Sequence, residues 1–256
     1  MTGRLQGRVA IVTGASWGIG AAAAEAFARE GASVVVNTLP ESRMDRLAQG
    51  VVDRIVGSGG RAIKVPADVS EPDQVDAMVA TAVKTFGDID ILVANAAYSE
   101  RVPWTEIPLE QWDRTMAVNV RGTFLCARAV YPSMLRQGRG SIITLTSVTV
   151  NLGMAGFLDY VSSKAGIIGL TRALAREIGR DGIRVNAVMP GAIRTEQEIE
   201  LNFDERELAT LAAERQSIPR RGFADDLTGT FVYLASDDSA FVTGQVVTVD
   251  GGWIHH

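Results

Sequence analysis

Short apolar runs alternate with longer helix-forming stretches along the whole chain, and glycines punctuate the joints. Arg8–Thr13 ends at Gly14, and Ser33–Val36, Ala62–Val65 and Asp90–Val93 follow. Ser141–Leu145, Ile183–Val188 and Val246–Val249 complete the set. Continuous apolar runs of this length, without polar alternation, are what strands covered on both faces need. Between them, Ala21–Glu30 reads as a helix stopped by Gly31, Met44–Val56 as one ending in the glycine cluster 57–60, and Gln74–Phe86 as one stopped by Gly87. Leu109–Gln137 reads as one long helix or two with a kink near Pro132, and Tyr160–Gly179 as another. Strands alternating with helices predict an α/β fold: a doubly wound parallel sheet of seven strands with helices on both faces. Neither a linker nor a repeat divides the chain, so one domain over residues 1–256 is expected.

Composition narrows the partners. Of 256 residues, 25 are basic and 30 acidic, giving a net charge of −5, and no basic stripe suggests nucleic acid. The one cysteine, Cys126, excludes an internal disulfide and a cysteine zinc site, and its flanks read as a buried helix. The first residues hold no apolar run of signal-peptide length. The longest charge-free stretch, Gly140–Leu158, is interrupted by Ser, Thr, Asn and Gly and makes a poor membrane span. A cytoplasmic protein without membrane or metal partners is expected. Glycine, at 26 residues, is enriched.

Part of that glycine lies in Thr13-Gly14-Ala15-Ser16-Trp17-Gly18-Ile19-Gly20, between the first strand and the first helix. Glycine permits a tight turn and removes the side chain where a pyrophosphate approaches, and the helix start offers N–H groups and a positive dipole end. The spacing resembles the T-G-x-x-x-G-I-G signature of the short-chain dehydrogenase/reductase family, and the resemblance extends over almost the whole chain. It implies a Rossmann-like fold, with Gly14, Ser16, Trp17, Gly18, Ile19 and Gly20 on a dinucleotide, and Asp68 with Val69 on its adenine. The family's N-N-A-G appears as Ala94-Asn95-Ala96-Ala97, so two alanines stand where relatives carry Asn and Gly. Asn95, Ala96 and Ala97 are expected to line the cofactor, with Ala94 and Ala97 expected to shift the loop. Pro190-Gly191-Ala-Ile193-Arg-Thr195 resembles the segment that embraces the nicotinamide.

Tyr160 and Lys164 stand four apart, on one face of a helix. A nearby ammonium favours a phenolate, so Lys164 is expected to lower the pKa of Tyr160. Ser147 lies thirteen residues upstream, just past a strand, at the sheet end where ligands bind. Ser147, Tyr160, Lys164 and Asn119 match the family's catalytic set. The resemblance implies that Ser147 holds the substrate oxygen, that Tyr160 exchanges its proton, that Lys164 also holds the nicotinamide ribose, and that Asn119 anchors a water behind the lysine. The reaction implied is hydride transfer between a nicotinamide and a carbonyl or secondary alcohol, with 3-oxoacyl-carrier-protein reductases and glucose dehydrogenases as the nearest kinds and a sugar or other alcohol dehydrogenase as the alternative. A non-catalytic NAD(P)-binding regulator would be favoured by loss of a tetrad residue, and all four are present.

Asn37 and Thr38 end the second strand without an acidic residue to repel a 2′-phosphate, and Arg43 follows, so NADP(H) is expected over NAD(H). Trp17 argues the other way, standing where NADP-preferring relatives carry a cation. Residues 195–223 are charge-rich and stand where the family has a mobile lid. Tyr98, Val148, Thr149, Met154 and Ile193 are the expected pocket residues beside Ser147 and Tyr160. Arg136, Arg139, Arg172 and Arg176 are scattered candidates for docking an acidic carrier. The C-terminal segment 242–253 resembles a subunit-contacting end and implies a homotetramer.

Overall fold

The computed structural model describes residues 3–196, 198 and 204–255. Its frame is a seven-stranded sheet in which every neighbouring pair is parallel. The strands are β1 (Val9–Val12), β2 (Ser33–Thr38), β3 (Arg61–Pro66), β4 (Ile91–Ala94), β5 (Gly140–Leu145), β6 (Ile183–Pro190) and β9 (Val246–Val249), in the order β3-β2-β1-β4-β5-β6-β9. Alternate residues of a strand face opposite layers. Ala10, Val12, Val34 and Val36 pack towards α1 (Gly18–Arg29), α2 (Ser42–Gly57) and α9 (Asp225–Ala235), around Phe27, Ile55 and Phe231. Val9, Ile11 and Val35 pack towards α3 (Pro72–Phe86), α5 (Gly122–Gln137) and α7 (Leu158–Ile178), around Met78, Met134 and Ile178. The central strands β1 and β2 are buried at every position, which explains their unbroken apolar runs. Cys126 is buried in α5, and burial pushes its thiol up to about 12, where it is inert.

The chain runs outward from β1 through β2 to β3, then returns to β4 on the other side of β1. The crevice beyond the carboxyl ends of β1 and β4 is therefore the switch point of the sheet.

Three features depart from the pattern reading. The Leu109–Gln137 helix is interrupted at Asn119 rather than at Pro132: α4 (Leu109–Met116) passes through a π-helical turn, Ala117–Arg121, into α5, which carries Pro132 in its interior. The last long helix does not stop at Gly179, which keeps a right-handed φ. It tightens over Gly179–Asp181 and turns at Gly182, φ +76°. The segment between Gly191 and Val246 holds the short parallel pair β7 (Ile193–Arg194) and β8 (Gly222–Phe223), with α8 (Glu205–Arg215) and α9, none of which the hydrophobic pattern singled out. Arg221, buried at the base of this segment, pairs with Glu198, and Arg194 with Glu205 at 3.2 Å. Residues 197 and 199–203 of the expected lid lie outside the described residues.

Candidate active site

A cavity of about 490 Å³ lies over the switch point. The turns after β1, β2, β3 and β4, the ends of β5 and β6, and two turns of α7 all reach it.

The floor of the cavity is the turn between β1 and α1. Gly14 (φ +60°) and Gly18 (φ +55°) adopt the left-handed conformation that glycine alone takes without strain. A Cβ on Gly14 would sit 2.9 Å from the Ala96 Cα, and one on Gly20 would sit 2.5 Å from the Gly14 carbonyl oxygen. Gly20 does not line the cavity; it lets α1 close onto the turn. Asn95 stitches the turn to β4: its Nδ2 donates to the carbonyl oxygens of Thr13 (2.9 Å) and Gly14 (3.0 Å). The Thr13 hydroxyl accepts from the N–H groups of Asn95 and Ala96. Ala94 is absorbed in the core beside β5, and Ala97 lines the cavity.

The N-terminus of α1 already receives an anion. Gly18 N–H donates to the Glu196 carboxylate at 3.0 Å. A backbone N–H at the positive end of a helix dipole, exposed to the cavity and bonded to a carboxylate oxygen, suits a phosphate oxygen equally well. The residues present thus fit the diphosphate of a dinucleotide.

The expected adenosine end includes Asn37, Asp68 and Val69, all of which line the cavity. Asn37 and Thr38 are buried. The Asn37 amide is committed to backbone: Oδ1 accepts from Gly14 N–H (3.2 Å), and Nδ2 donates to the carbonyls of Val65 (3.3 Å) and Ala67 (3.0 Å). Asn37 therefore shapes the turn as well as lining the cavity. Thr38 does not reach the cavity, and Leu39, Glu41 and Met44 line it in its place. Arg43 lies with its guanidinium 5.3 Å from the Trp17 ring centroid, a cation–π contact at the same end. Asp68 lines the cavity with Val69, but its Oδ1 accepts from the backbone and hydroxyl of Ser70 at 2.8 and 2.7 Å, which makes it a turn residue as well.

At the other end stand Ser147, Tyr160 and Lys164, all lining the cavity. Ser147 follows β5 and its oxygen accepts from the Thr149 hydroxyl at 3.0 Å and the Thr149 N–H at 3.3 Å. Its own proton is thereby turned towards Tyr160. Desolvation raises the Tyr160 pKa above 10 and the hydrogen bond from Ser147 opposes the rise. Lys164, 4% exposed, lies 5.6 Å from the Tyr160 ring centroid and donates to the Leu145 carbonyl at 2.9 Å. Burial lowers its pKa to about 8. In the protein itself desolvation is the largest influence on Tyr160, and it raises the pKa.

Asn119 sits in the π-helical turn, buried. Its Oδ1 accepts from Tyr98 N–H (2.7 Å), and its Nδ2 donates to the Tyr98 carbonyl (3.0 Å) and the Ser163 hydroxyl (2.9 Å). Both ends of the amide are bonded, so the side chain clamps the loop after β4 to α7 beside Lys164. Ser163 and Thr146, whose hydroxyl donates to the Lys164 carbonyl at 2.9 Å, complete this frame. The sequence reading missed both, because their partners lie far away in sequence.

Ile193 and Thr195 line the cavity with Pro190 and Gly191. A Cβ on Gly191 would meet Asp250 at 2.6 Å, so this glycine serves the approach of the chain after β9. Tyr98 lines the cavity, whereas Val148, Thr149 and Met154 do not; Thr149 acts on it through Ser147. Of the docking arginines, Arg136 is held by Asp88 (2.6 Å) and Arg139 by Asp90 (3.0 Å).

Comparison with known proteins agrees with this geometry. A family model described as enoyl-(acyl carrier protein) reductase matches residues 14–254. A 3-oxoacyl-[acyl-carrier-protein] reductase of a Synechocystis strain is 40% identical over 253 residues, covering 98% of each chain. An L-rhamnose 1-dehydrogenase (NAD(P)(+)) of a Sphingomonas strain is 39% identical over 249 residues, covering 97% of this chain and 96% of its own. The crystal structure of a short-chain type dehydrogenase/reductase from Mycobacterium marinum superposes with a TM-score of 0.90 at 38% identity, covering 98% of this chain and 97% of its own.

Proposed function

The chain belongs to the short-chain dehydrogenase/reductase family, an NAD(P)-dependent oxidoreductase by that membership, and we propose that it acts on a ketone of the 3-oxoacyl type through Ser147, Tyr160 and Lys164. One observation carries the reading. A serine hydroxyl, a phenol and a buried lysine converge in the cavity whose other end is a glycine turn fitted for an anion.

When bound, the nicotinamide supplies the hydride. Ser147, its oxygen held by Thr149, shifts its one donated hydrogen bond from Tyr160 to the substrate oxygen when substrate enters and stabilises the charge that develops there. Tyr160 is kept neutral by desolvation, which makes it a proton donor to that oxygen in the direction of reduction. Lys164, protonated below about 8, steadies the phenolate that remains and is positioned for a ribose hydroxyl. Asn119 acts as a positioning residue that fixes the loop carrying Tyr98 against α7. Sugar dehydrogenase activity is the second reading, favoured by the resemblance to the rhamnose enzyme.

The preferred cofactor in this reading is NADP(H). Supporting it, Asn37 presents no charge to a 2′-phosphate and Arg43 brings a guanidinium over Trp17 at that end. Glu41 lines the same end and weakens the preference, so dual use is expected, with NADPH ahead in kcat/KM. The chain works as one catalytic domain with a lid around 195–223, in the cytoplasm, as a homotetramer. Exposed Phe124, Leu135 and Phe241 give a subunit contact apolar side chains to cover. Among the described residues no helix is long and apolar enough to cross a membrane.

The test is a panel of 3-oxoacyl thioesters and aldoses offered with NADPH, NADH and their oxidised forms, read at the nicotinamide absorbance. Turnover of 3-oxoacyl thioesters with NADPH is expected. Turnover of aldoses alone would move the assignment to the second reading.

A further inference from the structure

Among the described residues, four charged side chains line the cavity: Glu41, Asp68, Lys164 and Arg114. Glu41 and Asp68 follow β2 and β3, at the adenosine end. Lys164 is buried and committed to the Leu145 carbonyl. Arg114 is different. It is exposed on α4, and among the described residues its guanidinium meets an aromatic face, at 4.6 Å from the Tyr98 ring centroid, and no carboxylate.

The place of Arg114 follows from a chain of hydrogen bonds. The Tyr98 backbone is held by both ends of the Asn119 amide, Asn119 donates to the Ser163 hydroxyl, and Ser163 donates to the Tyr160 carbonyl. Arg114 therefore stands over the part of the wall rigidly joined to the catalytic tyrosine, on the β4–β5 side where Ser147 also lies. The Tyr98 hydroxyl is turned away to Glu100, which leaves the ring face as a platform. Stacking on that face orients a planar guanidinium without using its N–H groups. Those N–H groups form a fork that matches the two oxygens of a carboxylate or phosphate.

We propose that Arg114 is a specificity-determining residue that receives an oxyanion carried by the substrate, a carboxylate or a phosphate, at a distance from the reacting carbonyl. The inference rests on the carbonyl-reductase reading and adds to it the class of compound: an anionic ketone. The rest of the lining suits this division of labour. Ala97, Val118, Ile193 and Leu145 are small or apolar and offer the carbon skeleton contact without charge, so recognition of charge falls to the arginine. An exposed cation in a cleft also focuses its field along the entry path of an anion.

The experiment uses two matched pairs of ketones with NADPH: levulinate against methyl levulinate, and acetoacetyl-4′-phosphopantetheine against acetoacetyl-pantetheine. The first pair reads a carboxylate and the second a phosphate. The wild type is expected to favour the anionic member of at least one pair about tenfold or more in kcat/KM. In Arg114→Ala that preference disappears through KM, with kcat and the KM for NADPH held and the neutral ketones affected far less. Arg114→Lys, which keeps the charge and loses the fork, falls between. Equal loss on both members, a rise in the NADPH KM, or a wild type blind to charge in both pairs would each overturn the proposal. No turnover of any of the four ketones with either nicotinamide would instead bring down the reductase reading on which it rests.

Discussion

Lys164 is a charged side chain placed where charge is expensive, and that cost is measurable. Burial holds its pKa at about 8 in the folded chain against 10.5 ordinarily. The unfolded chain therefore binds the extra proton between those values, and the folded state gains stability as pH rises through that window, which at ~1.36 kcal/mol per pH unit is about 3 kcal/mol. The stability difference between Lys164→Met and wild type, followed by urea denaturation at pH 7.5 and 10.5 (about the two edges of that window), should shift by about that amount in favour of wild type at the higher pH. A pH-independent difference would mean that the lysine is solvated. Tyr160 is the complementary case: with its pKa raised it is a proton donor at neutral pH, and Tyr160→Phe should lose about 10²–10⁴ in kcat for ketone reduction at unchanged Tm. Ser147, Tyr160 and Lys164 were legible in sequence because their spacing is local to one strand, one loop and one helix. Asn37 was not. Its amide answers Gly14, Val65 and Ala67, groups 23 to 30 residues away, and no pattern around residue 37 carries that information.

At the scale of elements, the glycine turn is held from two sides, by α1 below and by the Asn95 amide beside it. Gly20 is the point where both meet: a methyl there would lie 2.5 Å from the Gly14 carbonyl oxygen and 2.6 Å from Asn95 Nδ2. Gly20→Ala should cost about 1–3 kcal/mol by overpacking and weaken dinucleotide binding, checked by thermal denaturation and by titration of NADPH fluorescence. Retention of both stability and affinity would show that the turn can give way. The strands and the first helices were readable because fully buried parallel strands leave unbroken apolar runs. The interruption at Asn119 was not, because a π-helical turn costs nothing in composition: Ala117–Arg121 reads as ordinary helix, and its role shows only in the tertiary clamp on Tyr98 and Ser163. Pro132, the expected kink, sits inside α5 without ending it. Helix α9 escaped notice for the opposite reason, since it lies in a stretch whose charged beginning suggested only a surface lid, yet Leu227, Phe231 and Leu234 are core.

At the scale of the molecule, the sheet order places every functional segment at the carboxyl edge of the strands, so a cofactor binding there touches turns from both halves of the chain. Ligand that binds only the folded state stabilises it by mass action, about 2.7 kcal/mol at a concentration a hundred times Kd. For a chain of this size that is a rise in Tm of about 5–10 °C, larger for NADPH than for NADH at equal concentration if the cofactor preference is as proposed. For the homotetramer proposed above, sedimentation should give four chains of 27.3 kDa, and a single-chain species would contradict it. The central claim, that Tyr160 completes a hydride transfer from the nicotinamide to a carbonyl carbon, is tested most directly by isotope. With NADPH carrying deuterium at both C4 positions and a 3-oxoacyl thioester, the alcohol formed should hold one deuterium on its carbinol carbon, and Tyr160→Phe should form it at least a hundredfold more slowly. Nicotinamide oxidised without deuterium in the alcohol, or a phenylalanine variant that keeps pace with wild type, would contradict the account.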